Sequence, residues 1–286
     1  MFPRLHILMH PSTTALIRAA IAEDIGTGDV TSEFFIPAES RSKANLVARE
    51  PGVMSGAEVA RTVFLEIDSS TSVQVFVSDG AGFEKGDTLM EISGSTRSIL
   101  SAERTALNFL QRLCGVATMT RRYVDAVKPR PVKVLDTRKT TPGWRLLEKA
   151  AVKDGGGTNH RIGLYDQVMV KDNHLVAAGG IDALQSAINC VKAARPGIKV
   201  QLEADRLEQV ERFLTLRGVD MILLDNMPPA TLCKAVTLNA GRLFLEASGG
   251  ITLATIADVA ATGVDAISVG ALTHSARALD LALDFA

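Results

Sequence analysis

The sequence predicts an α/β protein whose C-terminal part is an open, incomplete α/β barrel. From residue 132 onward, short apolar runs of β type recur at 132–136, 167–171, 198–203, 220–225, 242–247 and 264–270, each followed by a helix-like stretch. Their starts lie 35, 31, 22, 22 and 22 residues apart, which is the rhythm of βα repetition. The runs are nearly continuous in apolar residues, as strands of a parallel sheet covered on both faces are. Polar residues gather at the C-terminal ends of the runs, the face where parallel α/β folds place their chemistry. Six such units are fewer than the eight of a closed (β/α)8 barrel, hence the open form.

Length and charge set outer limits. The chain has 286 residues, 31 Lys and Arg against 32 Asp and Glu, a net charge of −1. At ~150 residues per domain this suggests about two domains, with ample core. Hydrophobic residues make up 47% and charged residues 22%, which excludes long disorder and collagen. No basic excess points to nucleic acid. Three cysteines at 114, 190 and 233 form no CxxC, which argues against a disulfide framework or a structural zinc. The opening MFPRLHILMH does not read as a signal peptide, and no apolar run of ~18 residues offers a membrane span. A reducing cytoplasm is the expected compartment.

The first third differs from the remainder. Residues 13–23 predict a helix, followed by a tight turn at Gly26 to Gly28. Short alternating segments at 44–48 and 72–77 predict strands. The turn-rich SDGAGFEKGDTLMEISG at 78–94 resembles a β-hairpin of the lipoyl/biotinyl type, but with no lysine at an obvious modification tip a small β-rich accessory domain is the preferred reading. Residues 100–127 predict a long helix joining the halves.

Candidate chemistry sits on the strand ends. Arg138 and Lys139, with Thr140 and Thr141 before a Pro-Gly turn, suit an anion, though a solvated basic loop would read the same. Gly155 to Gly157 form a flexible turn followed by Asn159, His160 and Arg161, three consecutive donors. Lys171 ends the second run and can aim an ammonium into the barrel mouth or into solvent. His174 reads equally as structural. Glu203 and Asp225, at successive strand ends, could hold Mg²⁺ through oxygen or favour a developing cation, or be unrelated charges. Ser248, Gly249 and Gly250, before a predicted helix, and Gly270 with Ala271 offer two phosphate-binding turns at the last two strands. There is no GxxxxGK[ST] and no GxGxxG after a strand. Together these features suit a phosphorylated sugar with a metal-bound leaving group and an anionic acceptor.

Five motifs carry a family resemblance: EDIGTGDVTS, SAERTALNFLQRLCGVAT, DTRKTTPGWRLLEKAAVKDGGGTNHRIGL, KDNH and EASGGI. They resemble quinolinate phosphoribosyltransferase, a type II phosphoribosyltransferase also called carboxylating nicotinate-nucleotide pyrophosphorylase. The resemblance implies conversion of quinolinate and phosphoribosyl pyrophosphate to nicotinate mononucleotide, CO₂ and pyrophosphate, in de novo NAD biosynthesis. It implies an N-terminal α/β sandwich domain over 1–115 and a C-terminal open α/β barrel over 116–286, with a return of the last helix to the first domain left open. It also implies Mg²⁺ and a homodimer with shared active sites, a higher oligomer staying open. Arg104 from the partner, Arg138, His160, Arg161 and Lys171 would bind quinolinate. Lys139, Glu203, Asp225, Ser248, Gly249, Gly250, Gly270 and Ala271 would bind phosphoribosyl pyrophosphate. Lys139, Lys171, Glu203 and Asp225 would be catalytic, and Glu203 and Asp225 would meet the metal directly or through water or substrate.

Two rivals stand beside this. One is a paralogous pyrophosphorylase-like protein of molybdate-transport context, which shares RKT and HRxGL; Asn159, Lys171 and Asn173 favour the quinolinate enzyme. The other is a lipoyl/biotinyl-type carrier or scaffold, against which the strand-end chemistry from 138 to 271 argues. The neutral total conceals opposed segments: cations exceed carboxylates over 133–174, and the reverse holds over 203–225. Trp144 departs from the smaller apolar residue expected after RKTTPG.

Overall fold

The computed structural model describes residues 10–171 and 181–286. The chain forms two compact units, one of residues 1–121, 140–156 and 272–286, the other of 122–139 and 157–271.

In the first unit, α1 (Pro11–Ile25) and α2 (Val30–Phe35) precede a four-stranded antiparallel sheet. Its strands are β1 (Arg41–Ala48), β3 (Ser72–Val75), β5 (Thr88–Ser95) and the C-terminal β12 (Leu281–Phe285), in the order β12-β1-β5-β3. Alternation drives it: Ala44, Leu46 and Ala48 of β1 point inward and are buried, and the residues between them are not. β2 (Gly52–Val53) pairs separately with β4 (Gly82–Phe83), and α3 (Ala57–Ile67) lies between β2 and β3 in sequence.

Two expectations are corrected here. The segment 78–94 is not a lipoyl-type hairpin: β4 pairs with β2, and β5 pairs with β1 and β3. The chain does return to the first unit at its C-terminus, but as a strand rather than a helix, with Leu281 and Leu283 facing inward at a period of two.

The long helix α4 (Thr96–Val127) carries much of this unit's core through Ile99, Ala102, Ala106, Phe109, Leu110, Leu113 and Ala117, all at most 2% exposed. The C-terminal segment lies directly on it. The Leu279 N–H donates to the Gln111 carbonyl at 3.0 Å, and Gln111 Nε2 donates to the Leu281 carbonyl at 2.8 Å. Gly115 permits the approach, since a Cβ there would fall 1.9 Å from the Arg277 carbonyl oxygen. α5 (Arg145–Asp154) joins the same unit, and Trp144 before it stacks on Phe109 at 4.7 Å, so this indole is a packing group. Arg112 donates to Glu148, which is fully buried and also accepts from the Thr141 N–H and hydroxyl.

The second unit holds a six-stranded, wholly parallel sheet. Its strands are β6 (Lys133–Leu135), β7 (Val168–Val170), β8 (Val200–Ala204), β9 (Met221–Asp225), β10 (Phe244–Ser248) and β11 (Ala266–Ser268). The order β6-β11-β10-β9-β8-β7 is that of a barrel left open between its first and second strands. Along the free edge of β6 the chain at Thr158 forms a parallel bridge with Leu135. Helices α6 (Ile181–Ala194), α7 (Leu207–Phe213), α8 (Pro229–Asn239) and α9 (Ile256–Ala260) connect the strands, and α10 (Ala271–His274) follows β11.

The parallel register assigns the two faces. Glu203 pairs with Leu223, Leu223 with Glu246 and Glu246 with Ala266, while Asp225 pairs with Ser248. Partners in register share a face, as do residues two apart. Gln201, Glu203, Asp225, Glu246, Ser248 and Ser268 therefore occupy one face. Leu202, Ala204, Ile222, Leu224, Leu245, Ala247 and Ile267 occupy the other and are buried apolar residues. The nearly continuous apolar runs do form a parallel sheet, and the few polar side chains within its strands fall on its inner face.

Candidate active site

The inner face and the loops beyond its strands bring together most of the expected site residues. Lys171 follows β7 directly, and its ammonium donates to Glu203 Oε2 at 2.6 Å; the lysine is half exposed and Glu203 largely buried. Asp225 ends β9, with Oδ2 accepting from Asn226 Nδ2 at 2.7 Å. The Asn226 N–H in turn donates to the Ser248 carbonyl at 2.8 Å, which joins the Asp225 turn to the end of β10.

Asn226 has a φ of +54°, Gly249 +97° and Gly250 +60°. A Cβ on Gly249 would fall 2.1 Å from Asn226 Oδ1, so only glycine lets these turns touch. Here the helix is farther away than the sequence suggested: α9 begins at Ile256, beyond residues 251–255. The donors that Ser248, Gly249 and Gly250 can offer an anion are therefore the turn's own N–H groups, without a helix dipole behind them. Gly270 lies between β11 and the single turn α10, and Ala271 is the first residue of that turn.

At the other edge of the sheet from β7, Asp136 follows β6 and is completely buried. It accepts Asn159 Nδ2 at 2.6 Å and the His160 N–H at 2.7 Å. His160 Nδ1 accepts the Arg161 N–H at 2.7 Å, and Nε2 lies 3.2 Å from Glu246 Oε2. Arg161 donates through Nη1 to the Gln167 carbonyl at 3.2 Å. Asp166 accepts the N–H groups of Ile162 and Gly163, closing the turn after Arg161.

Burial, with the like charge of Arg138 beside it, pulls the Arg161 guanidinium below its ordinary value against the opposing pull of Asp166. Arg138 Nε is buried without a hydrogen-bond partner. Two neighbouring guanidiniums, one with an unmet buried donor, form an arrangement that a dianion completes. Lys139 is exposed beside them, its N–H donating to Thr137 Oγ1 at 3.0 Å.

Glu203 and Asp225 are the carboxylates available to a cation, and among the described residues no three His, Cys, Asp or Glu side chains converge as a cage. This donor set fits a Mg²⁺ ion that brings water and diphosphate oxygens with it. Arg104 belongs to the first unit, on α4, where its side chain is 60% exposed. Asn173 and His174 lie outside the described residues.

Asp136, Gln201, Glu246 and Ser268 were not singled out from the sequence. Asp136 had a signal, a carboxylate directly after an apolar run. Glu246 had another, a lone charge inside FLEAS, which a period-two reading would have placed on the polar face.

The family profile described as the C-terminal domain of quinolinate phosphoribosyl transferase matches residues 116–284, and that of the N-terminal domain matches 29–114. The chain is 40% identical over 275 residues to a probable nicotinate-nucleotide pyrophosphorylase (carboxylating) of Bacillus subtilis, covering 96% of this chain and 94% of that one. It is 42% identical over 274 residues to the nicotinate-nucleotide pyrophosphorylase (carboxylating) of Mycobacterium leprae, covering 94% and 95%. The structure of the nicotinate-nucleotide pyrophosphorylase from Francisella tularensis superposes with a TM-score of 0.90 at 36% identity, covering 96% of each chain.

Proposed function

The chain belongs to the quinolinate phosphoribosyltransferase family, and on that premise we propose the part each residue takes in its reaction. Quinolinate and phosphoribosyl pyrophosphate give nicotinate mononucleotide, CO₂ and pyrophosphate, a step of de novo NAD biosynthesis. The observation that carries the site assignment is the Arg138–Arg161 pair with its unmet buried donor. Quinolinate presents two carboxylates on adjacent ring carbons, and arginine can meet a carboxylate with two parallel hydrogen bonds. Each charge-assisted bond is worth ~1.5–3 kcal/mol.

Arg138 and Arg161 hold the carboxylates, and Lys171 adds a third cation. His160, for which the family resemblance implied a quinolinate contact, is assigned a place behind Arg161 instead. Arg104 of a second copy completes the clamp; its exposure on a helix of the first unit supports a homodimer with shared sites. Ser248, Gly249, Gly250, Gly270 and Ala271 cradle the 5′-phosphate. Lys139 faces the pyrophosphate. Glu203 and Asp225 lie by the ribose and would hold Mg²⁺, which supplies charge neutralisation for the leaving group.

The pyridine nitrogen attacks the anomeric carbon as the bond to the pyrophosphate oxygen breaks. The ring carbon of the sugar gains oxocarbenium character, which the Glu203 and Asp225 carboxylates favour. The nitrogen becomes cationic; as CO₂ departs, the electron pair of the C–C bond stays on the adjacent ring carbon, stabilised by that cation, and a proton from solvent then bonds to it. The substrate's own ring cation stabilises the pair, so the protein's contribution is orientation and charge.

A cytoplasmic location accords with three free cysteines, two of them exposed. Among the described residues no helix is long and apolar enough to cross a membrane. The decisive experiment follows CO₂ release from carboxyl-labelled quinolinate. Release is expected only with phosphoribosyl pyrophosphate and Mg²⁺ present, and a folded protein that releases none would overturn the proposal.

A further inference from the structure

We infer that His160 and Glu246 form a buried couple that sets Arg161 for quinolinate, Glu246 acting as a positioning residue that never touches substrate. The inference rests on the functional reading above and deepens it.

Glu246 sits in the middle of β10, fully buried on the polar inner face, two residues short of the phosphate turn. A carboxylate in such a place is costly unless donors surround it. Two do, and a ring nitrogen stands close. Gln201 Nε2 donates to Oε2 at 2.8 Å, the Ser268 hydroxyl donates to Oε1, and His160 Nε2 lies 3.2 Å from Oε2. Gln201 is itself fixed, its Oε1 accepting from Gln167 Nε2 at 2.7 Å. Burial alone would raise the Glu246 carboxyl, but His160, Ser268 and Gln201 together hold it below the usual carboxylate range. It is therefore an anion at neutral pH, and the steps of the reaction leave it without a task.

The histidine explains the task. A ring nitrogen that accepts a hydrogen bond carries no proton, and His160 Nδ1 accepts the Arg161 N–H. The ring proton is thereby placed on Nε2, facing Glu246. The side chain is only 7% exposed, and Nε2 stands at ion-pair distance from the Glu246 carboxylate. Its main-chain N–H is also held, by Asp136. The two successive peptide N–H groups on either side of the His160 Cα are thus both held. Arg161, disfavoured by burial and by Arg138, projects from that anchored peptide. Two like charges hold a dianion well only if they cannot swing apart, and the couple supplies that restraint.

A double-mutant cycle tests this with wild type, His160→Ala, Glu246→Ala and the double variant. KM for both substrates and thermal unfolding are measured for each. Each single variant should raise the quinolinate KM by about tenfold, keep the phosphoribosyl pyrophosphate KM within about twofold, and the double variant should be no worse than the worse single one. Glu246→Gln keeps the shape, lets the Ser268 hydroxyl turn to accept, and should recover part of the loss. Multiplicative effects in the double variant, equal rises in both KM values, or an unchanged quinolinate KM would overturn the couple. If an alanine variant does not fold, Glu246→Gln and His160→Gln form the cycle under the same criteria. A wild-type chain that never releases CO₂ from quinolinate overturns the functional reading instead. The couple is then judged by the same cycle in thermal stability, where additivity would overturn it.

Discussion

Asp136 and Asn159 are joined by a 2.6 Å hydrogen bond, and the second oxygen of the same buried carboxylate takes the next N–H of the chain, that of His160. One strand end thus shapes the turn that leads to Arg161. Asp136→Ala leaves two buried donors unmet, at ~1–3 kcal/mol each. A lower unfolding midpoint in urea is expected, together with a quinolinate KM raised more than that of phosphoribosyl pyrophosphate. Equal kinetic constants for variant and wild type would show that the turn holds its shape without the carboxylate.

The Lys171–Glu203 pair has a different balance. With the lysine half exposed, the pair adds little stability. Lys171→Met keeps the aliphatic stem and should leave the melting temperature nearly unchanged. Catalytic efficiency should fall by roughly ten- to a hundredfold or more, the worth of a charge-assisted bond. Steady-state rates beside calorimetry separate the two, and a destabilised but fully active variant would contradict the assignment.

Gly249→Ala meets both a φ of +97° and Asn226 Oδ1. Gly241, with a φ of +74° and open space where a Cβ would stand, provides the control. Each substitution carries backbone strain of ~1–3 kcal/mol, but only Gly249→Ala should raise the phosphoribosyl pyrophosphate KM. Similar KM values for the two variants would remove the turn from the phosphate site.

Glu50 offers a pH signature far from the chemistry. The Arg277 guanidinium, helped by the Asp280 N–H and opposed by burial, pulls its carboxyl from 4.5 down to about 2. The folded value lies below the unfolded one, so the stabilisation is complete above 4.5 and is lost as pH falls toward 2. The gap in melting temperature between wild type and Glu50→Gln should be constant near neutrality and close in acid. A gap that persists in strong acid would exclude the charged pair as its source.

Arg112→Met removes the cation beside a fully buried Glu148. Breaking a buried pair from one side costs ~3–5 kcal/mol, so a large drop in the urea midpoint is expected. An unchanged midpoint would mean that Thr141 alone satisfies the carboxylate.

Much of this architecture is legible in the chain because its strands are bounded by strong local signals. The observed starts of β8, β9, β10 and β11 lie within two residues of the runs at 198, 220, 242 and 264. The strand-end residues from Lys171 to Ser248 are legible for the same reason, since a parallel sheet delivers every strand end to one side. What escaped is set by pairing across long stretches of chain. Glu246 meets Ser268, Gln201 and His160 only once three registers are known. β4 and β5 look like a hairpin, but β5 finds better partners in β1 and β3. The LALDF segment alternates as a strand does, yet its partner β1 lies at the far end of the chain.

That last pairing bears on how the polypeptide comes into being. Synthesis runs from the N-terminus, and domains generally fold as they emerge. Here the edge strand β12 of the first sheet, and the segment lying on α4 through Gly115, emerge only after every strand of the second unit's sheet. The first unit is therefore begun before the second and completed after it, and the second unit can reach its native strand order while the first still waits for its edge strand.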